Sequence, residues 1–219
     1  MASANIPKEI KKDRKLYTHI RSHGPMDIGT WKRPAHPFHS LIRSIIYQQV
    51  SGKAAASILK KFKALFPASS KASQGRRHGR FPTPEELLEI PTQKLRGAGL
   101  SGQKALYVKD LAAHFVSGEI KHRHLKKWTN DEIIEHLTRV KGIGVWTVHM
   151  FLIFTLKRPD VLPTLDLAIR KGFQVVYGLK KEPTHDEMER LASPRRMHAS
   201  LVSLYLWEAS TKLKKSAKR

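Results

Sequence analysis

Apolar positions along the chain recur at three- and four-residue spacing and never alternate over a useful length, so the pattern predicts a nearly all-helical protein. Residues 6–21 place Ile10, Tyr17 and Ile20 among charges, as a solvated amphipathic helix does. Further helices are predicted from Phe38 to Val50, Ser51 to Phe66, Leu106 to Phe115, Ile133 to Val140, Trp146 to Leu156, Leu167 to Tyr177 and His198 to Leu213. Three Thr-x-x-Glu pairs mark helix starts: Thr83 with Glu86, Thr129 with Glu132 and Thr184 with Glu187. In each, the hydroxyl accepts from the amide three residues on while the carboxylate reaches back. Residues 67–82, PASSKASQGRRHGRFP, have no apolar period and read as a basic, low-complexity loop. Residues 212–219 form a short basic tail. No internal repeat interrupts this order.

Composition sharpens the reading. A 40% hydrophobic content over 219 residues supports a packed core that needs no disulfide or metal staple. The longest apolar run, Val145 to Leu156, is broken by Thr147 and His149 and is too short to cross a bilayer, so a soluble, intracellular protein is expected. Cysteine is absent, which excludes thiol nucleophiles, thiolate zinc sites and iron–sulfur clusters. The twelve histidines show no HExxH spacing, so a zinc site has no support, and His122 and His124 sit among Lys and Arg as surface residues would. The formal charge of +23 points to a polyanion, nucleic acid before membrane. Charge is also unevenly placed: from Ile28 to Pro84 there are eleven Lys and Arg residues and no acid. A face made only for solubility mixes signs, so this stretch reads as a footprint on phosphate. Arg43 and Lys53 within it, and Lys104 beyond it, are the expected backbone contacts.

Two segments carry candidate chemistry. In HLTRVKGIGVWTVHM, residues 136–150, a capped helix ends, Gly142 and Gly144 turn the chain and a second helix begins. Lys141, Gly142, Ile143, Gly144 and Thr147 would then offer outward amides at a helix N-terminus to a phosphate oxygen; the plainer alternative is a mere connector. Downstream, Asp166 follows the extended Pro163-Thr164-Leu165 and precedes an apolar helix. It either caps that helix or offers a carboxylate to a developing cation.

The run from Leu137 to Gly172, of the form LxxxKGIGxWTxxMFLxFxLxRPDVLPxxDLxIRKG, resembles the helix-hairpin-helix DNA glycosylase superfamily, within it the 3-methyladenine DNA glycosylase II branch. IIYQQVSGKAA at 45–55 and GLSGQKALYVKDLA at 99–112 resemble further segments of that family, and the likeness covers about residues 36–210. It implies an all-α fold of two interlocked helical subdomains with a DNA-binding cleft between them. One glycosylase domain would span 1–219, with the helix-hairpin-helix at about 129–157. It implies hydrolysis of the N-glycosidic bond of alkylated purines, of the 3-methyladenine and 7-methylguanine type, in base excision repair. A base in a duplex must be flipped out at a cost of about a few kcal/mol, and a side chain must fill the gap. The resemblance assigns that wedge to Gln49, beside Gln48 and Ser51, which otherwise read as ordinary helix-end polarity.

In the same family Asp166 holds the catalytic position. Members that also cut the strand carry a lysine where this chain has Trp146, so the resemblance implies a monofunctional enzyme. An indole face there also suits a cationic methylated purine. Trp31, Phe38 and Tyr47 are further pocket candidates, each of which also fits a core, and Trp207 reads as packing. No cofactor is expected beyond a sodium or potassium ion on the Val140 and Gly142 carbonyls. The implied partner is double-stranded DNA with damaged bases, bound by a monomer wherever the DNA lies. Two alternatives stand beside this: a non-catalytic homologue that binds abasic or distorted DNA, and a glycosylase for oxidised or deaminated bases. The chain departs from the family pattern at Val148 and His149, and at Ala199 before Ser200, where Arg195 or Arg196 is the candidate replacement for a missing arginine.

Overall fold

Thr83, Thr129 and Thr184 each cap a helix as their spacing predicts. Their hydroxyls accept from the amides of Glu86, Glu132 and Glu187 at 3.3, 3.2 and 3.3 Å, and each glutamate reaches back to the capping amide. In this computed structural model the described residues are 6–28, 36–67 and 79–216. Trp31, most of the 67–82 loop and the end of the basic tail lie outside them. Among the described residues every regular element is helical, as the periodicity predicts.

The chain forms two units. The first comprises residues 1–32 and 152–219. It contains α1 (Lys8–Lys11), α2 (Arg14–His23), α11 (Leu167–Tyr177), α12 (His185–Ala192), a 3-10 turn (Ser193–His198) and α13 (Ala199–Ser216). The single helix expected over 6–21 is broken at Asp13, whose Oδ1 accepts from the Leu16 amide at 3.0 Å and starts α2 afresh. The core gathers Ile10, Leu16, Ile20, Ile169, Phe173, Met188, Tyr205 and Leu206. The α11 and α13 backbones approach so closely at Gly172 that a Cβ there would lie 2.2 Å from the Leu206 carbonyl oxygen. A polar knot fastens the same unit: Asp13 Oδ2 accepts from Tyr177 Oη at 2.6 Å and lies 2.8 Å from the Arg195 guanidinium. Burial, then the Asp13 carboxylate, push the Tyr177 phenol well above its usual range. Arg195 is thus a buried structural residue, also bonded to the Leu191 carbonyl, and not the replacement arginine its position suggested. Arg196 pairs instead with Glu189.

The second unit comprises residues 33–151. It holds α3 (Pro37–Tyr47), α4 (Gly52–Ala64), α5 (Pro84–Glu89), α6 (Thr92–Gly97), α7 (Gly102–Val116), α8 (His122–Lys127), α9 (Asn130–Thr138) and most of α10 (Val145–Phe154), within which the division between the units falls. The short α6 and α8 escape the periodicity because six residues do not complete two helical turns. Helix α7 packs against α3, α5 and α6 and buries Val108, Leu111 and Ala112. Helix α4 differs: only Ala55 and Phe62 are buried along it, and Lys53, Lys60 and Lys61 stand exposed. No helix among the described residues is long and apolar enough to cross a membrane.

Candidate active site

The hairpin between α9 and α10 is anchored from below by apolar side chains. Val140 and Ile143 are buried, and the Ile143 amide donates to the Val140 carbonyl at 3.1 Å to close the turn. Gly142 has φ +79°, and a Cβ there would fall 2.1 Å from the ring of Tyr107, so both conformation and space demand glycine. Gly144 is the opposite case: nothing lies within 4 Å of a Cβ built on it. Its carbonyl accepts the first bond of α10, from Val148 at 3.1 Å. No internal packing asks for glycine at 144, whereas close approach of an external group to the backbone would.

Two side chains that the sequence assigned otherwise, or not at all, hold this turn. Asp110 of α7 accepts from the Lys141 amide at 2.8 Å and sits 3.7 Å from Lys141 Nζ. Gln48 Nε2 donates to the Gly142 carbonyl at 2.8 Å. Gln48 is therefore a brace for the hairpin, not part of a wedge; its backbone leaves α3 in an extended conformation. Asp110 and Tyr107 lie in the 99–112 segment, where only three-dimensional neighbours reveal their task.

Gln49 is exposed and holds φ +54°, a left-handed conformation that L-residues adopt at some cost. Ser51 caps α4, accepting from the Ala54 amide at 3.3 Å. Gln49 therefore remains the projecting residue of the three.

Beside it, Arg43, Ser44, Tyr47, Gln48, Gln49, Trp146, Thr147 and Met150 line a cavity of about 390 Å³ within the second unit. Trp146 is 47% exposed, which argues against the core reading of this residue. Arg43 does not project alone: its guanidinium lies 4.0 Å from the Tyr47 ring centroid, a cation–π contact that covers one face of the phenol. Phe38 is fully buried, its ring 5.0 Å from that of Phe115, so it belongs to the core and not to the pocket. Lys104 is likewise reassigned. Its Nζ donates to the Ile46 and Gln48 carbonyls at 2.9 and 2.6 Å, closing the end of α3, where helices leave carbonyls unsatisfied. Burial lowers its pKa from the ordinary lysine value. Within the acid-free stretch, Arg80 grips both oxygens of Glu86, which holds that carboxyl down at about 2. Lys63 lies over the Phe81 ring at 5.3 Å. Lys53, Lys60 and Lys61 are the cations of this stretch exposed on α4.

In the first unit, Asp166 caps α11. Its Oδ1 accepts from the Ala168 and Ile169 amides at 2.7 and 3.2 Å, and its own amide donates to Pro163 at 2.9 Å. The carboxylate is thereby fixed in direction at a half-buried position between Leu165 and Leu167, which are 61% and 54% exposed. The preceding Thr164 is buried and bonded to His185 Nδ1 at 2.8 Å, which stiffens the approach to Asp166. Such an arrangement offers a fixed negative charge with an apolar rim.

Comparison with known proteins shows the family. Residues 42–195 match the family model described as HhH-GPD superfamily base excision DNA repair protein. DNA-3-methyladenine glycosylase 1 of Schizosaccharomyces pombe is 38% identical over 175 residues, covering 80% of this chain and 72% of that protein. The solved structure of the Schizosaccharomyces pombe 3-methyladenine DNA glycosylase in complex with abasic DNA superposes with a TM-score of 0.72 at 31% identity, over 93% of this chain and 95% of that one. A DNA-3-methyladenine glycosidase from Bacillus halodurans gives a TM-score of 0.81 at 29% identity, over 98% and 94%. The chain belongs to the HhH-GPD superfamily of base excision DNA repair proteins, in its 3-methyladenine DNA glycosylase family.

Proposed function

We propose that this protein is a monofunctional DNA glycosylase that removes alkylated purines of the 3-methyladenine and 7-methylguanine type from double-stranded DNA, acting as a monomer wherever that DNA lies. The observation that carries the reading is Trp146: nearly half exposed, it lines a pocket among whose lining residues there is no lysine. A Schiff-base route to strand cleavage needs an amine at the site, and the pocket wall supplies none. What it supplies is an indole, whose face attracts a methylated, cationic purine by roughly 1–2 kcal/mol when water is excluded.

The chemistry assigned to this chain's residues is then short. Gln49 fills the stack vacated by the flipped nucleotide, offsetting part of the unstacking cost. As the bond from the sugar carbon to the base nitrogen lengthens, positive charge builds on the sugar. The Asp166 carboxylate stabilises that charge and orients the attacking water, which adds to the sugar carbon and gives up one proton to that carboxylate, while the base leaves with the bonding electron pair. The Gly144 amide and its neighbours at the start of α10 receive a phosphate, and Lys53, Lys60 and Lys61 add charge without reading sequence. A sodium or potassium ion at the hairpin belongs to the proposal. Carbonyl oxygens suit such an ion, but the Val140 carbonyl already accepts from Ile143 and the Gly142 carbonyl from Gln48, so each offers it one remaining lone pair.

A second reading has one observation in its favour. The bonds of Asp166 Oδ1 to two amides are what a purely structural cap makes, as a non-catalytic binder of abasic or distorted DNA would have. Incubation with methylated duplex, with and without alkali, decides. A glycosylase yields breaks only after alkali, and Asp166→Asn retains DNA affinity while release falls at least a thousandfold. Breaks without alkali would show lyase activity, and no release at any salt concentration would leave the binder or a glycosylase for oxidised or deaminated bases.

A further inference from the structure

A second cluster of chemistry lies in the first unit, among residues to which the glycosylase reading gives no task. His19 and His23 stand one turn apart on α2, and Glu208 comes from α13 at the far end of the chain. His23 Nε2 is 2.6 Å from Glu208 Oε1 and His19 Nε2 is 3.1 Å from Glu208 Oε2. The two imidazole centroids are 4.6 Å apart, and the three donor atoms lie within 4.8 Å of one another. The i, i+4 spacing carries nothing by itself; the carboxylate that the fold brings in converts it into a cluster.

Proton accounting constrains His23. The Ser22 hydroxyl donates to the His19 carbonyl at 2.7 Å, so towards His23 its oxygen is an acceptor. His23 Nδ1 faces that oxygen at 3.1 Å and the His19 carbonyl at 3.2 Å, two acceptors, and must therefore carry the hydrogen. The Nε2 lone pair is left pointing at a carboxylate, an arrangement that requires a cation between them, either a proton or a metal ion. An outer hydrogen bond from Nδ1–H to a carbonyl is also the arrangement that orients a metal-binding histidine. At the other oxygen, Glu208 Oε2 is sealed from solvent and lies 3.1 Å from His19 Nε2, so both carboxylate oxygens face an imidazole nitrogen. Donors about 2.0–2.2 Å from one tetrahedral ion lie roughly 3–3.5 Å apart. The His19 pair meets this spacing, and the His23 pair has only to open slightly.

We propose that His19 Nε2, His23 Nε2 and the Glu208 carboxylate form a binding site for a divalent transition metal of the zinc class, with water completing the shell. Two imidazoles and one carboxylate suit zinc, cobalt or nickel and not magnesium or calcium, which prefer oxygen alone. The ion ties α2 to α13 within the unit that carries Asp166. It is a clamp, remote from the hydrolytic chemistry in its role.

The full chain, stripped with EDTA and desalted, is titrated with zinc chloride by calorimetry and separately with cobalt chloride by visible absorption. One ion per chain is expected, with the intense visible bands of low-coordinate cobalt and a rise in Tm of roughly 5 °C or more. His19→Gln, His23→Gln and Glu208→Gln should each weaken binding at least tenfold and abolish the Tm rise. Circular dichroism first verifies that each variant is folded; if one is not, the other two carry the test. Binding that survives in the folded variants places the metal on other histidines and overturns the proposal. So does a cluster that titrates with pH while zinc and cobalt leave Tm unchanged, since protons alone then bridge it.

Discussion

Gln49 carries a local backbone cost at φ +54°. Its left-handed backbone is unfavourable by about 1 kcal/mol for a residue with a side chain, yet that side chain meets solvent. Gln49→Gly should therefore leave Tm unchanged or raise it by about 2–4 °C, while base release from methylated duplex falls at least tenfold. Unchanged release would reduce Gln49 to helix-end polarity. His39 bears a different cost. It stacks on Phe81, with ring centroids 4.7 Å apart, and burial, then the charge of His36, with Lys63 and Arg80 behind, drive its pKa from 6.5 down to about 4. Between those values the unfolded chain binds the proton and the folded one does not, so stability falls as pH drops through this window and levels off below it. Relative to His39→Phe, which keeps the stack, the wild type should lose on the order of 3 kcal/mol at most between pH 7 and pH 4, measured by urea unfolding. Residue types alone proved a partial guide at this scale. Phe38, Gln48 and Lys104 suit pocket, wedge and phosphate by chemistry, but packing assigns them to core, brace and helix cap.

At the scale of elements, the two glycines of the hairpin should separate cleanly. Gly142→Ala forces a Cβ into Tyr107 at a positive φ and should cost about 2–4 kcal/mol, read as a fall in Tm. Gly144→Ala meets open space, so its Tm should stay within a degree or two while affinity for duplex DNA falls. A Tm loss at 144 as large as at 142 would remove the argument that an external phosphate approaches there. The capped helices were legible because capping is local chemistry among four residues. The clamp on the hairpin was not, since Asp110 and Gln48 approach it from α7 and α3 across long sequence separations.

For the whole molecule, the charge of +23 predicts affinity that falls steeply with salt, with a log–log slope of about −0.9 per phosphate neutralised. Lys53→Ala and Lys60→Ala on exposed α4 should each reduce that slope by about one without altering which base is released. Arg80→Ala should leave it unchanged, because Glu86 already holds that guanidinium. Equal effects from all three would mean a diffuse field in place of an α4 contact.

The sequence by itself determined the all-helical class, the three capped starts and the hairpin, because periodicity, capping and turn glycines act over a few neighbouring residues; the family was legible from the likeness of the run from Leu137 to Gly172 to known glycosylases. Tertiary structure decided what each polar group has left to give. Arg195 became the centre of a buried knot with Asp13 and Tyr177, and Arg80 was taken up by Glu86. His19, His23 and Glu208 became neighbours only when α2 met α13. Hydrogen bonds and ion pairs reach about 3 Å, and which groups come that close is set by packing between segments far apart in the chain.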